Sequence, residues 1–274
     1  MKTLCWLVGF LMLAISPGRA DEGAVEMPKS FQPYTSIAEF HYGGLYARFL
    51  SPDVRTEQDI ALFRRSLQTT QKDFPIFEFH VYHFGEHHRL ADLDVLTEVQ
   101  KLRLLSLGGC NYDRTQLTVL KKLEKLQDLF ISGQHWNAEE LKALGSAESI
   151  SGLRAQSLGV EDWSAFPSFP ALEELDLGYS NFDDSGVAAL KRQKKLARLH
   201  LYDTKLTDDG LMQLGQIETL RYLGLTSPDE GGTVSWEAID RFKAAYPNCK
   251  LNLERPHTPH PPKPQAPQGG GGVA

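Results

Sequence analysis

Two groups of side chains are of the types that do chemistry. Four histidines, His80, His83, His87 and His88, lie close together and are joined by Glu78 and Glu86. Imidazole and carboxylate are both zinc ligands, so the stretch from His80 to His88 has the donors for a metal-binding enzyme or sensor. The spacing opposes that reading: residues three apart on a strand project to opposite faces, which separates His80 from His83, and Gly85 interrupts any helix that would align His83 with His87. The stretch reads as exposed histidines at a rim, and no metal or other cofactor is expected. Asp176, His200 and Asp203 form the second group, with the donors and acceptors of acid–base catalysis. Such chemistry needs a closed pocket and a nucleophile, and no serine or cysteine motif stands near these residues. Catalysis is therefore not expected.

The elements that position these residues announce themselves as a repeat. The 274 residues include 39 leucines, 27 of them between Leu96 and Leu225. The pattern LxxLxL starts at Leu102, Leu126, Leu172, Leu196 and Leu220, with a degenerate copy at Ile150-Ser-Gly-Leu153-Arg-Ala155. The spacing is 24 residues except for 22 between Ile150 and Leu172. Three further apolar columns keep register: Tyr112, Trp136, Val160, Phe182 and Leu206; Leu117, Leu141, Val187 and Leu211; Leu120, Leu144, Leu190 and Leu214. The period predicts a short strand, a turn and a helix in each repeat, none able to bury its apolar columns without a neighbour, so the repeats must stack. Asp183 and Thr207 are the expected side-chain caps of their helices, and Asn137-Ala-Glu-Glu140 reads as a capping box. In the short repeat, Trp163-Ser-Ala-Phe166-Pro167-Ser-Phe169-Pro170 replaces the helix with a proline-broken segment plugged by its aromatic rings.

LxxLxLxxNxL is the leucine-rich repeat signature, here with Cys110, Gln134, Ser180 and Thr204 at the asparagine position, and the chain resembles that family over residues 74–254. The run from Thr204 to Leu211 looks like the tandem repeats of bacterial exported leucine-rich repeat proteins, and less closely like those of F-box ubiquitin ligase adaptors. The resemblance implies an α/β solenoid with a concave parallel sheet and convex helices. It also implies that the x positions of LxxLxL face solvent on the concave side. Those positions give Phe130, Arg154, Asp176, His200 and Tyr202, flanked by Glu174, Arg198, Tyr222, Tyr179 and Asp203. Tyrosine and arginine bring contact area together with a polar handle, which is why they are enriched at binding hot spots. The expected function is non-catalytic recognition of a protein, peptide or glycan on this face. Other readings are the metal-dependent enzyme or sensor above and, by family analogy alone, an adaptor of the ubiquitin ligase kind.

The ends complete the expected organisation. Lys2, an apolar run from Leu4 to Ile15 and the small residues Gly18 and Ala20 read as a signal peptide over residues 1–20, implying a secreted or periplasmic protein. That run is too short to span a bilayer. Its removal leaves 27 basic against 35 acidic residues, a formal charge of −8 and the wrong sign for nucleic acid or an anionic membrane surface. Cys5 leaves with it, and Cys110 and Cys249 fall six repeats apart, about 29 Å at ~4.8 Å per strand, too far to pair. Residues 21–73 form an N-terminal segment that is aromatic-rich over 31–50 and ends in a helix capped by Thr56 and Asp59, with Ile60, Phe63 and Leu67 on one face. Residues 255–274 hold six prolines and a run of four glycines, and read as a tail that cannot order on its own, a linker or spacer. Nothing in the sequence sets the oligomeric state.

Overall fold

The computed structural model describes residues 37–41, 44–50, 56–73, 76–82, 92–107 and 112–253. Each of the six LxxLxL cores becomes a strand, β4 (Leu104–Ser106), β5 (Asp128–Phe130), β7 (Gly152–Arg154), β9 (Glu174–Asp176), β10 (Arg198–Leu201) and β11 (Tyr222–Leu225), flanked by β3 (Ile76–Tyr82) before them and the closing β12 (Lys250–Asn252) after them. They run parallel in that order with matched register, Leu129 beside Leu153 and Leu175 beside Leu199. Strands β6 (Gly133–Trp136) and β8 (Leu158–Val160) pair separately. The leucines of each core point the same way, and Leu105, Leu129, Leu153, Leu175, Leu199 and Leu223 are completely buried. The three later apolar columns also close into the interior, from Trp136 and Phe182 to Leu141, Leu211, Leu144 and Leu214. One leucine-rich seam therefore runs through the stack, and every rung depends on its neighbours to cover it.

The sheet does not begin at β3. Residues 37–50 supply a hairpin of β1 (Ile37–His41) and β2 (Gly44–Leu50), and β2 runs parallel to β3. Helix α1 (Glu57–Asp73) is thus the crossover of a strand–helix–strand unit, with Phe63 edge-on to Phe79 of β3 and Arg64 bonded to Glu98. Thr56 and Asp59 cap it reciprocally as expected.

The outer elements differ from the helix foreseen for every repeat but the short one. The first two, Leu93–Glu98 and Arg114–Lys122, are 3-10 helices, whereas α2 (Ala138–Leu144), α3 (Val187–Lys191), α4 (Asp208–Leu214) and α5 (Trp236–Ala245) are α-helical. The cause lies in the spacing. Leu93, Leu96, Val99 and Leu102, and likewise Leu117, Leu120, Leu123 and Leu126, recur every three residues and all are buried, which suits three residues per turn. Bonds from Val99 N–H to the Leu96 carbonyl and from Leu123 N–H to that of Leu120 follow. Asn137 forms the expected capping box with Glu140, and Asp183 accepts from Ser185 N–H. Thr207 does not cap α4. Its hydroxyl and its N–H both donate to the Asp184 carboxylate one repeat earlier, a charge-assisted pairing stronger than a neutral cap. Asp208 receives the same two donors from Ser235 in the next repeat, and they hold its carboxyl below the usual range.

The short repeat keeps only one 3-10 turn, Trp163–Ala165, and fills the space with Trp163, Phe166 and Phe169, all buried, the first two rings tilted against each other and the last edge-on to Phe166. The next rung satisfies its loose backbone. Gln193 is buried where other repeats carry Leu123, Ala147 or Ile217; it accepts from Phe169 N–H at 2.9 Å and donates to the Pro167 carbonyl at 2.8 Å. Arg192 donates to the carbonyls of Ser164 and Phe166.

Candidate binding face

Because strand side chains alternate, the residues between the buried leucines all lie on the opposite, open face of the sheet. Register sorts them into two columns. One runs Glu78, Leu104, Asp128, Gly152, Glu174, Arg198, Tyr222, Lys250; the other runs from Ser106 through Phe130, Arg154, Asp176, His200 and Gly224 to Asn252. Seven of the ten expected residues, Phe130, Arg154, Glu174, Asp176, Arg198, His200 and Tyr222, stand in these columns.

They are coupled along the sheet. The Arg154 guanidinium lies 4.6 Å over the Phe130 ring, and that of Arg198 lies 5.3 Å from Tyr222. Arg198 Nε is 3.3 Å from Glu174 Oε2, and His200 Nε2 is 3.9 Å from Glu174 Oε1. The His200 and Tyr222 rings are 5.1 Å apart. Asp176 accepts from Gln156 Nε2 at 2.7 Å and from Gly178 N–H at 2.9 Å, so both its oxygens are engaged.

The other three residues are placed differently. Tyr202 is not an exposed contact residue but 2 % exposed, because it lies across Gly224 of the next strand, where a Cβ would sit 2.5 Å from its hydroxyl oxygen. The Asn252 amide donates to that oxygen at 2.9 Å and to the Tyr222 hydroxyl at 2.8 Å. Tyr179 and Asp203 are left-handed, with φ of 61° and 52°, and turn the chain off the sheet at the same point of successive rungs. Their N–H groups donate to the next rung, Tyr179 to the Tyr202 carbonyl and Asp203 to Thr226 Oγ1. They stand at the rim.

Electrostatics follow from this packing. Burial, reinforced by Arg198 and Arg154 and opposed by Asp176 and Glu174, lowers the His200 pKa below its ordinary 6.5, so the imidazole is neutral at pH 7. The Asp128 carboxylate sits against Gly152; desolvation there, with repulsion from Glu174 and Glu78, outweighs Arg154 and raises its pKa. Burial also raises the Tyr202 phenol. Asp128 and Asn252 escaped the sequence reading. The signal for both was the register, Asp128 in the first column and Asn252 at the second x of the closing strand.

Of Asp176, His200 and Asp203, the first two are register neighbours on β9 and β10 and Asp203 stands beyond the end of β10. Asp176 is held by Gln156 and Gly178, His200 approaches Glu174, and Asp203 is engaged with Thr226 at the rim. Of the histidine stretch only the His80 backbone is described, paired in β3 with Ser106; its side chain and His83, Glu86, His87 and His88 lie outside the described residues, as do Cys110 and residues 1–36. Among the described residues no group of three or more His, Cys, Asp or Glu could hold a metal, and no helix is long and apolar enough to cross a membrane.

A scan against protein-family models returned no match, and neither did a search of curated proteins. Among solved structures, an internalin (inlF) of Listeria monocytogenes is similar at 14% identity, over 70% of this chain and 64% of the other, with a TM-score of 0.34. An internalin C2 (inlC2) of the same organism is similar at 14% identity, over 76% and 80%, with a TM-score of 0.43. The TLR13 of a TLR13–ssRNA13 complex is similar at 16% identity, over 65% of this chain and 25% of the other, with a TM-score of 0.43. This chain thus spans less than two thirds of the first of these structures and a quarter of the third. Its 24-residue register, its buried leucine columns and the long parallel ladder from β3 to β12 give the described residues the architecture of a leucine-rich repeat solenoid.

Proposed function

We propose that this is an exported, non-catalytic binding module that recognises a protein or peptide across the open face of its sheet. The observation that carries this reading is the continuity of that face. Eight parallel strands hold their outward side chains in register, and from β5 to β11 these alternate aromatic, cationic and anionic groups, with Phe130, Arg154, Asp176, Arg198 and Tyr222 at least partly exposed. A rigid ladder presents such groups already ordered, so a partner meets little of the entropic cost of arranging them. The open, shallow geometry favours an extended macromolecule over a small molecule, which a deep cleft would enclose.

The test is capture from native extracellular fluid by the purified chain and by an Arg154→Ala/Arg198→Ala/Tyr222→Ala variant shown to be folded. Tyr202 is left intact because it is structural. Species retained by the first and lost from the second support the reading, and identical captures refute it. N-terminal sequencing of the exported product is expected to begin at Asp21.

A further inference from the structure

Four positions near the middle of the sheet form a block of two cross-strand pairs, Asp128 and Phe130 on β5 beside Gly152 and Arg154 on β7. Gly152 has no side chain, and the Asp128 carboxylate lies over it, in the space a Cβ would need. Arg154 leans the other way and stacks its guanidinium 4.6 Å over the Phe130 ring. Acid and base thus lean past each other without closing an ion pair. Among the described residues, neither side chain has a hydrogen-bond or ion-pair partner. Neither is sealed from a ligand, since Asp128 is exposed and Arg154 half-buried.

The rest of the open face leaves these two charges unmatched. Glu174 pairs with Arg198 and approaches His200, and both oxygens of Asp176 are taken by Gln156 and the Gly178 N–H. Glu78 stands two strands from Asp128, and Lys250 four strands from Arg154. Desolvation, with repulsion from Glu174 and Glu78, raises the Asp128 pKa in spite of Arg154, so this carboxylate gains from a further cation. Stacking on a ring occupies the flat face of a guanidinium and leaves its N–H edge to donate, and a carboxylate takes two such bonds in parallel. The spacing selects the ligand. Successive same-face positions on a strand are about 7 Å apart, at ~3.4 Å per residue, which is also the separation of residues i and i+2 of an extended peptide.

We propose that this block recognises an extended peptide segment of the partner that carries one basic and one acidic side chain two residues apart, the base at Asp128 and the acid at Arg154. The proposal rests on the binding-face reading above and adds the charge pattern of the partner. Its test uses the full chain and a display library of random linear peptides. The selected peptides are expected to share an oppositely charged pair at i and i+2 in one order, which the direction of the segment fixes. A synthetic peptide of that sequence should bind at least about tenfold more tightly than versions with the pair reversed, like-charged or neutral. Asp128→Asn and Arg154→Gln, close in size to the residues they replace, should each abolish the preference for the charge facing them, and Asp128→Lys/Arg154→Glu should prefer the reversed peptide. Selected peptides without such a pair, or with a pair whose reversal leaves binding unchanged, overturn the proposal; if those peptides still lose binding in Tyr222→Ala, the binding face stands without it. A library that yields nothing dependent on the open face overturns both.

Discussion

Replacing Gln193 by leucine tests whether one buried amide stitches the proline-broken rung to its neighbour. Leucine matches both the volume of the site and the apolar column around it, so packing alone predicts a neutral or stabilising change. The hydrogen bonds predict the reverse. Gln193 serves Phe169 N–H at 2.9 Å, the Pro167 carbonyl at 2.8 Å and the Ala189 carbonyl at 3.2 Å. Phe169 is fully buried, so its N–H has no route to water; the Pro167 carbonyl lies nearer the surface and regains a partner in part. A buried group left unsatisfied costs about 1–3 kcal/mol, so the substitution should cost about 2–4 kcal/mol in all. For a domain of this size 1 kcal/mol lowers Tm by about 2–4 °C, which gives a fall of roughly 5–15 °C in a melt followed by circular dichroism. Hydrogen exchange should speed first at the Phe169 amide. A Tm within about 2 °C of wild type, with that amide still protected, would refute the reasoning.

Leu201→Asp places a charge in the leucine seam and should unfold several rungs together, because each is covered by its neighbours; a melting curve identical to wild type would contradict the stacking account. Gly224→Val should expel Tyr202 from its seat and break its bond to Asn252, seen as a newly exposed tyrosine in absorbance or nitration, and an unmodified Tyr202 would count against the placement. The His200 pKa is lowered on folding, so the unfolded chain binds more protons just below 6.5. Its contribution to stability is therefore present above pH 6.5, falls as pH drops below it and levels off beneath the folded pKa; an NMR titration giving a His200 pKa above 6.5 would reverse the sign. Burial pushes the Cys249 thiol up to about 11, so at pH 8 alkylation should run roughly 100-fold slower than at a thiol of pKa 9.0, and fast labelling of the native chain would contradict its burial.

The rung was legible because its information is periodic. A leucine that must face the interior recurs every 24 residues, and every apolar column read from the sequence is buried over the described residues, from Trp136 to Leu214. The open columns follow from the same alternation, and Arg154, Asp176, Arg198 and Tyr222 fell where expected. What the period missed was settled between rungs. The burial of Tyr202 depends on a glycine 22 residues later, and the fate of Thr207 on an acid 23 residues earlier. Neither is visible within one repeat. The 3-10 turns were concealed because leucines every three residues also satisfy a coarse helical reading. The β1–β2 hairpin lies before the first repeat, where no register existed to extend.

Hydroxyl-radical footprinting of the chain, free and with the species it captures, tests the central claim most directly. Phe130, His200 and Tyr222 on the open face are expected to lose reactivity on binding, while the exposed Leu62 of α1 and Trp236 of α5 oxidise equally in both states. Protection of Leu62 or Trp236, with Phe130 and Tyr222 unchanged, would place the partner on the helices and contradict the account.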